Sequence, residues 1–210
     1  GGIFILGFIL WTILIRTVDV QPIGLNGTGV GFADWNGWFH EQTGVHMKLY
    51  MITDWLGLIP IVVCMIFAGI GLKQWINRKK LFKVDYDILI LGIYYVFVIL
   101  CYLFFEMIPI NYRPILIDGR MEVSYPSSTT LLVLCVMPTL IEQTMRRLKQ
   151  RILKRAITYV TVWFSACMVL GRLISGVHWF TDIVGALILS AGLFFIYKGA
   201  ILFGRKDEHE

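Results

Sequence analysis

Six apolar runs partition this chain: Gly1–Ile15, Trp55–Leu72, Ile88–Phe105, Ser127–Ile141, Ala156–Ile174 and Ile183–Gly204. The second and third are eighteen residues long without a charged side chain. About 20 residues of helix cover the hydrocarbon of a bilayer, so both read as spanning helices. Hydrophobic residues make up 57% of the chain and charged ones 16%, against about 25% charged in a soluble globular protein. Such a chain has too few polar side chains for a water-compatible surface. The runs exclude a soluble enzyme and a disordered chain alike.

The expected fold is all-α, a polytopic membrane bundle of six transmembrane helices forming one domain over residues 1–210. The first run lacks a basic segment before it and a small-x-small cleavage signal, and reads as a spanning helix whose start precedes this numbering, not as a signal peptide. The fourth contains Pro138, and the fifth carries Arg172 near its end. Cys64, Cys101, Cys135 and Cys167 all fall inside apolar runs, where they read as packing residues and not as a disulfide framework or a metal site.

The net charge of +5 follows from topology. If the runs alternate across the bilayer, the connections 73–87 and 142–155 share one face with the tail. Together these hold fourteen of the nineteen Lys and Arg: Lys73, Arg78, Lys79, Lys80 and Lys83; Arg146, Arg147, Lys149, Arg151, Lys154 and Arg155; and Lys198, Arg205 and Lys206. The positive-inside rule makes this face cytoplasmic, with both termini on it, in a multi-pass protein of the cell membrane. Nucleic-acid binding is excluded as a partner class, because no basic and aromatic stripe sits on a soluble domain.

On the other face, the connection 16–54 carries Phe32, Trp35, Trp38 and Phe39 among glycines, the composition of an interfacial loop or a short helix at the headgroups. Asn26-Gly27-Thr28 reads as an Asn-Gly turn, although it also matches a glycosylation sequon. Only Arg16, Lys48, Arg113, Arg120 and Arg172 are the cations of this face.

Two of them point to chemistry. An arginine close to the bilayer is costly and marks function, and a planar guanidinium offers a bidentate fork to phosphate. Arg113 precedes Pro114; Tyr125-Pro126-Ser127-Ser128-Thr129 opens the fourth run; and Arg172-Leu-Ile-Ser-Gly-Val-His178-Trp-Phe-Thr-Asp182 links the fifth to the sixth. A helix beginning at Ser127 or Ser128 presents hydroxyls and free N–H groups to an anion, with a serine N-cap as the plainer role. His178 and Asp182 stand four apart, so on a helical turn the carboxylate holds one imidazole nitrogen and leaves the other to attack phosphorus. The plainer readings are a helix N-cap for Asp182 and an interfacial aromatic for His178.

Arg-Pro, Pro-Ser-x-x and Arg-x5-His-x3-Asp, in that order on one membrane face, resemble the motifs of the type 2 phosphatidic acid phosphatases, the lipid phosphate phosphatase and haloperoxidase-like superfamily. The motifs span residues 106–182, and the helix count extends the likeness over most of the chain. The resemblance implies a metal-independent, cofactor-free hydrolase of lipid phosphates in which His178 forms a phosphohistidine and Asp182 orients it. It further implies that Arg113, Arg172, Ser127, Ser128 and Thr129 hold the phosphoryl oxygens, on the extracytoplasmic face.

Two positions depart from the family pattern. Glu106 stands where the family has Lys, and Thr129 where it has the His that protonates the leaving group. Glu106 either orients Arg113 or Arg120 or merely ends the third helix. A threonine hydroxyl is no general acid near neutral pH, and general acid catalysis contributes roughly 10² to 10⁴ in rate. A diphosphate needs that proton least, so a polyprenyl or other lipid diphosphate is the expected substrate, ahead of a phosphatidate or phosphatidylglycerophosphate monoester. Glu106, Glu122, His40 and His46 are the outer residues able to replace the acid, His40 and His46 reading first as loop residues. The alternatives are an inactive lipid-phosphate-binding scaffold and a phosphotransferase or transporter.

Overall fold

The computed structural model describes residues 1–204, so Arg205 and Lys206 of the tail lie outside the described residues. Eight α-helices follow one another: α1 (Gly2–Thr17), α2 (Ala33–Thr43), α3 (Met47–Leu56), α4 (Leu58–Arg78), α5 (Tyr86–Met107), α6 (Ser128–Arg147), α7 (Arg151–Ile174) and α8 (Phe180–Gly204). Among the described residues there is no strand, only isolated bridges such as Tyr112 with Val123. Five helical stretches are long and apolar enough to cross a membrane, and α1 is a shorter apolar helix.

The second run differs from its expected bounds. Helices α3 and α4 join through Gly57, which is itself right-handed helical, and form one 32-residue stretch, Met47–Arg78. Lys48 and Asp54 break the apolar pattern there, so the uncharged run begins only at Trp55. Asp54 is accommodated because Arg172 of α7 lies 3.0 Å from its Oδ1. Pro138 sits inside α6 without ending it.

Helix α8 is apolar on all sides, the pattern of a helix surrounded by others, and it packs against α1, α5 and α6. Leu131, Val133 and Val136 of α6 meet Leu189, Leu193 and Tyr197 of α8 in the core. Large apolar side chains elsewhere are exposed, among them Ile3, Val96, Tyr159, Trp163 and Phe203. Facing hydrocarbon, such residues need no polar cover. Gln143, buried in α6, donates to the Tyr197 hydroxyl at 3.2 Å.

The ends of the bundle differ in charge. At one end Arg147 forks onto Asp87 at 2.9 and 2.7 Å and reaches Asp85 at 3.2 Å, while Arg78 meets Asp85 at 2.8 Å. These bonds tie α4, α5 and α6 beneath the basic connections. The other end gathers the C-termini of α5 and α7, the N-termini of α6 and α8, and the 18–46 segment. There Asn26 and Gly27 form a turn with positive φ of 55° and 75°. Helix α2 lies over the start of α8: buried Asn36 donates to Thr181 Oγ1 at 3.0 Å and to the Gly31 carbonyl at 2.8 Å, and Phe39 packs on Phe180 at 5.3 Å.

Candidate active site

The 108–127 connection doubles back on itself. The Arg113 amide donates to the Glu122 carbonyl at 3.0 Å, and the Ser124 amide to the Asn111 carbonyl at 2.9 Å. This ribbon brings Asn111, Arg113 and Ser124 beside the α7–α8 turn. The turn depends on Gly176, whose φ of +69° disfavours any side chain and whose Cβ position lies 1.9 Å from the Gly44 carbonyl oxygen. Chain reversal there delivers His178 to the ribbon.

His178 is buried, with Nδ1 3.2 Å from the Ser124 carbonyl oxygen. A carbonyl only accepts, so Nδ1 carries the proton and Nε2 keeps its lone pair. That Nε2 has no hydrogen-bond partner among the described residues. Burial, and then the charges of Arg113 and Arg172, hold the imidazole well below its usual 6.5, against a smaller opposing effect of the Ser124 bond. The ring is therefore neutral at neutral pH.

Asp182 differs from its expected role. Its Oδ2 is 3.8 Å from His178 Nδ1, beyond hydrogen-bond reach, and instead accepts the Trp179 amide at 2.9 Å. Asn111 Nδ2 donates to Oδ1 at 3.3 Å. Helix α8 begins at Phe180, so His178 precedes the helix and the four-residue spacing does not stack the pair on one turn. Asp182 caps the helix, fixing the turn that bears His178, and the Ser124 carbonyl makes the direct bond to the ring.

The two arginines meet on one aromatic ring. The Arg172 guanidinium lies 4.8 Å from the centre of Tyr50 and that of Arg113 5.6 Å from it. Arg172 is only 1% exposed. Its Nη2 donates to Asp54 and to the Thr129 hydroxyl, and its Nη1 reaches Thr53 Oγ1 at 3.4 Å. Arg113 has Nε 3.1 Å from Glu122 Oε2, in a poorly aligned ion pair. Arg113 Nη1 and Arg172 Nε are buried without a partner.

Ser127 occupies the N-cap position of α6 without a side-chain capping bond, its buried hydroxyl donating inward to Thr130 Oγ1 at 3.0 Å. Ser128 and Thr129 form the first turn, whose amides lack intrahelical partners. Glu106 does not orient an arginine: it ends α5 and receives the Tyr102 hydroxyl at 3.4 Å, and Glu122 is the carboxylate at Arg113. His40 packs on Trp179 at 5.6 Å, and His46 bonds the Thr43 carbonyl at 2.8 Å. Sequence reasoning missed Tyr50, Thr53, Asp54, Asn111 and Ser124. Asp54 alone carried a signal, as an acid abutting an uncharged apolar run.

A buried lone pair beside two arginines with vacant N–H groups can bind a phosphoryl dianion and attack it. Among the described residues no cluster of His, Cys, Asp and Glu suits a metal ion.

No family model matches the chain, and no curated protein matches it. One solved structure is similar over 97% of this chain and 94% of its own, with a TM-score of 0.62 and 18% identity: the crystal structure of a transmembrane PAP2-type phosphatidylglycerolphosphate phosphatase from Bacillus subtilis. That crystal structure and the apolar helices agree with the likeness drawn from the three motifs. The chain is thus a multi-pass membrane protein with the fold of a PAP2-type phosphatase.

Proposed function

We propose that this protein hydrolyses a lipid phosphate or lipid diphosphate at the outer membrane face, through a phosphohistidine on His178. One observation carries the reading: Arg113 Nη1, Arg172 Nε and His178 Nε2 are buried polar atoms without partners. Each such group left unsatisfied costs about 1–3 kcal/mol, so their convergence on one site favours a ligand that satisfies them. A phosphoryl group does so, its oxygens on the two guanidiniums and on the first-turn amides of α6, its phosphorus before Nε2. The arginines supply the charge neutralisation, so the reaction as proposed needs no metal.

A cavity of about 520 Å³ favours a lipid over a soluble ester. It is polar at Asp54, Ser128 and Thr129 and apolar along Leu58, Ile61 and Val98. A second cavity of about 540 Å³ shares Ile61, Cys64, Tyr95 and Ile99 with it and continues to Trp75. Together they form a groove between α4 and α5, walled by α6 at the end near Ser128, into which an acyl or prenyl chain fits. The outer placement of the site rests on the basic connections at the opposite end of the bundle. The name of the similar crystal structure puts phosphatidylglycerophosphate among the substrates to test. With Thr129 in place of an acid, the bond these residues break with least help is that of a diphosphate.

The test is phosphate release by the purified protein in detergent with chelator present, from phosphatidate, phosphatidylglycerophosphate and a polyprenyl diphosphate. Release from at least one is expected, undiminished by the chelator. A folded protein inert toward all three contradicts the reading.

A further inference from the structure

The proposed reaction still lacks a proton source, and the cavity supplies one. We propose that Asp54 protonates the leaving oxygen of the lipid and then takes a proton from the water that opens the phosphohistidine. This rests on the reading of His178 as nucleophile.

The leaving oxygen is bonded to the lipid, so it lies where the cavity meets the phosphate site. Asp54, Ser128 and Thr129 line that mouth. Asp54 is the single Asp, Glu or His among the residues lining this cavity, and its side chain is 57% exposed. Arg172 Nη2 donates to both Asp54 Oδ1 and the Thr129 hydroxyl, so a phosphate seated on Arg172 stands beside the carboxylate. The other titratable groups facing the cavity are less suited. Tyr102 directs its hydroxyl to Glu106 at 3.4 Å, Tyr95 is paired with Thr139 at 2.7 Å, and Cys64 lies deeper along α4. Glu122 is held at Arg113, away from the cavity lining.

In the first step the Nε2 lone pair of His178 forms the N–P bond. The P–O bond to the lipid breaks, and its electron pair goes to the lipid oxygen. That oxygen takes the Asp54 proton, releasing a lipid alcohol from a monoester or a lipid monophosphate from a diphosphate, and leaving Asp54 as carboxylate. In the second step water attacks phosphorus, its proton passes to Asp54, and the N–P electron pair returns to Nε2 as inorganic phosphate departs. Asp54 is again protonated for the next turnover. The proton brings monoesters within reach despite Thr129.

Leaving-group dependence separates this role from positioning of Arg172. Asp54→Asn is expected to lower kcat for phosphatidate by about 10²–10³-fold, within the span of general acid catalysis. For p-nitrophenyl phosphate, whose leaving group needs no proton, the expected fall is less than about tenfold. Adding Thr129→His to Asp54→Asn should recover at least about tenfold of the phosphatidate rate. Equal losses on both substrates without rescue would show that Asp54 only holds Arg172 and overturn the proposal; Asp54→Ser replaces Asn if that variant does not fold. His178→Ala, inactive on both substrates, keeps failure of the phosphatase reading distinct from failure of the Asp54 role.

Discussion

Replacing His178 by Ala is expected to reduce phosphate release on the order of 10⁶-fold, the scale on which removal of a covalent nucleophile acts. The effect is large because nothing nearby can substitute. The ring is buried, its Nδ1 is committed to the Ser124 carbonyl at 3.2 Å, and Nε2 alone offers a lone pair. Its neutrality is set by burial and by Arg113 and Arg172, so the variant loses a nucleophile that is active without prior deprotonation. The turn itself should persist, since Asp182 bonds the Trp179 amide and Asn111 independently of the imidazole. Steady-state assays with a thermal unfolding control measure both quantities. Activity within a hundredfold of the parent, in a folded variant, contradicts the assignment.

Arg172→Lys is the second large effect, although it conserves charge. Arg172 holds Asp54 and Thr129 through Nη2, reaches Thr53 through Nη1, stacks on Tyr50 and keeps Nε vacant. A lysine ammonium is a point charge that cannot offer a planar fork to phosphate while also holding Asp54 and Thr129. Loss of one donor aimed at developing charge typically reduces kcat about 10²–10³-fold, and a fall of that size is expected in kcat/KM. The same bonds join α3 to α7, so stability should fall by about 1–3 kcal/mol. A variant with near-parental kcat/KM would show that positive charge alone suffices at this position.

The elements legible from sequence are those whose physics is local. Apolar runs of helical length gave the bundle, and the asymmetry of Lys and Arg distinguished its ends, because hydrocarbon enforces both. The three motifs gave Arg113, Arg172 and His178, which the fold brings to one end. What escaped depends on contacts between distant segments. Tyr50 earns its place only by lying against two arginines 63 and 122 residues further on. The Ser124 carbonyl is a backbone group that no residue type announces, and it displaces Asp182 as the direct partner of His178 because α8 starts two residues later than His178. Glu106 looked relevant by spacing alone, yet the helix end turns it toward Tyr102 while the ribbon brings Glu122 to Arg113. The helix that carries the second apolar run begins eight residues before it, a continuation that the charged Lys48 and Asp54 conceal and that Asp54 makes by finding Arg172 in three dimensions.

The central claim is that phosphate passes through a covalent bond to His178. Quenching the protein in alkaline detergent during turnover of a lipid substrate labelled with ³²P in its terminal phosphoryl group, then digesting it at alkaline pH and locating the label, tests this most directly. The account predicts an acid-labile, base-stable label on the peptide containing His178, absent from His178→Ala. Rapid phosphate release with no label on that peptide, or label on another residue, would contradict it.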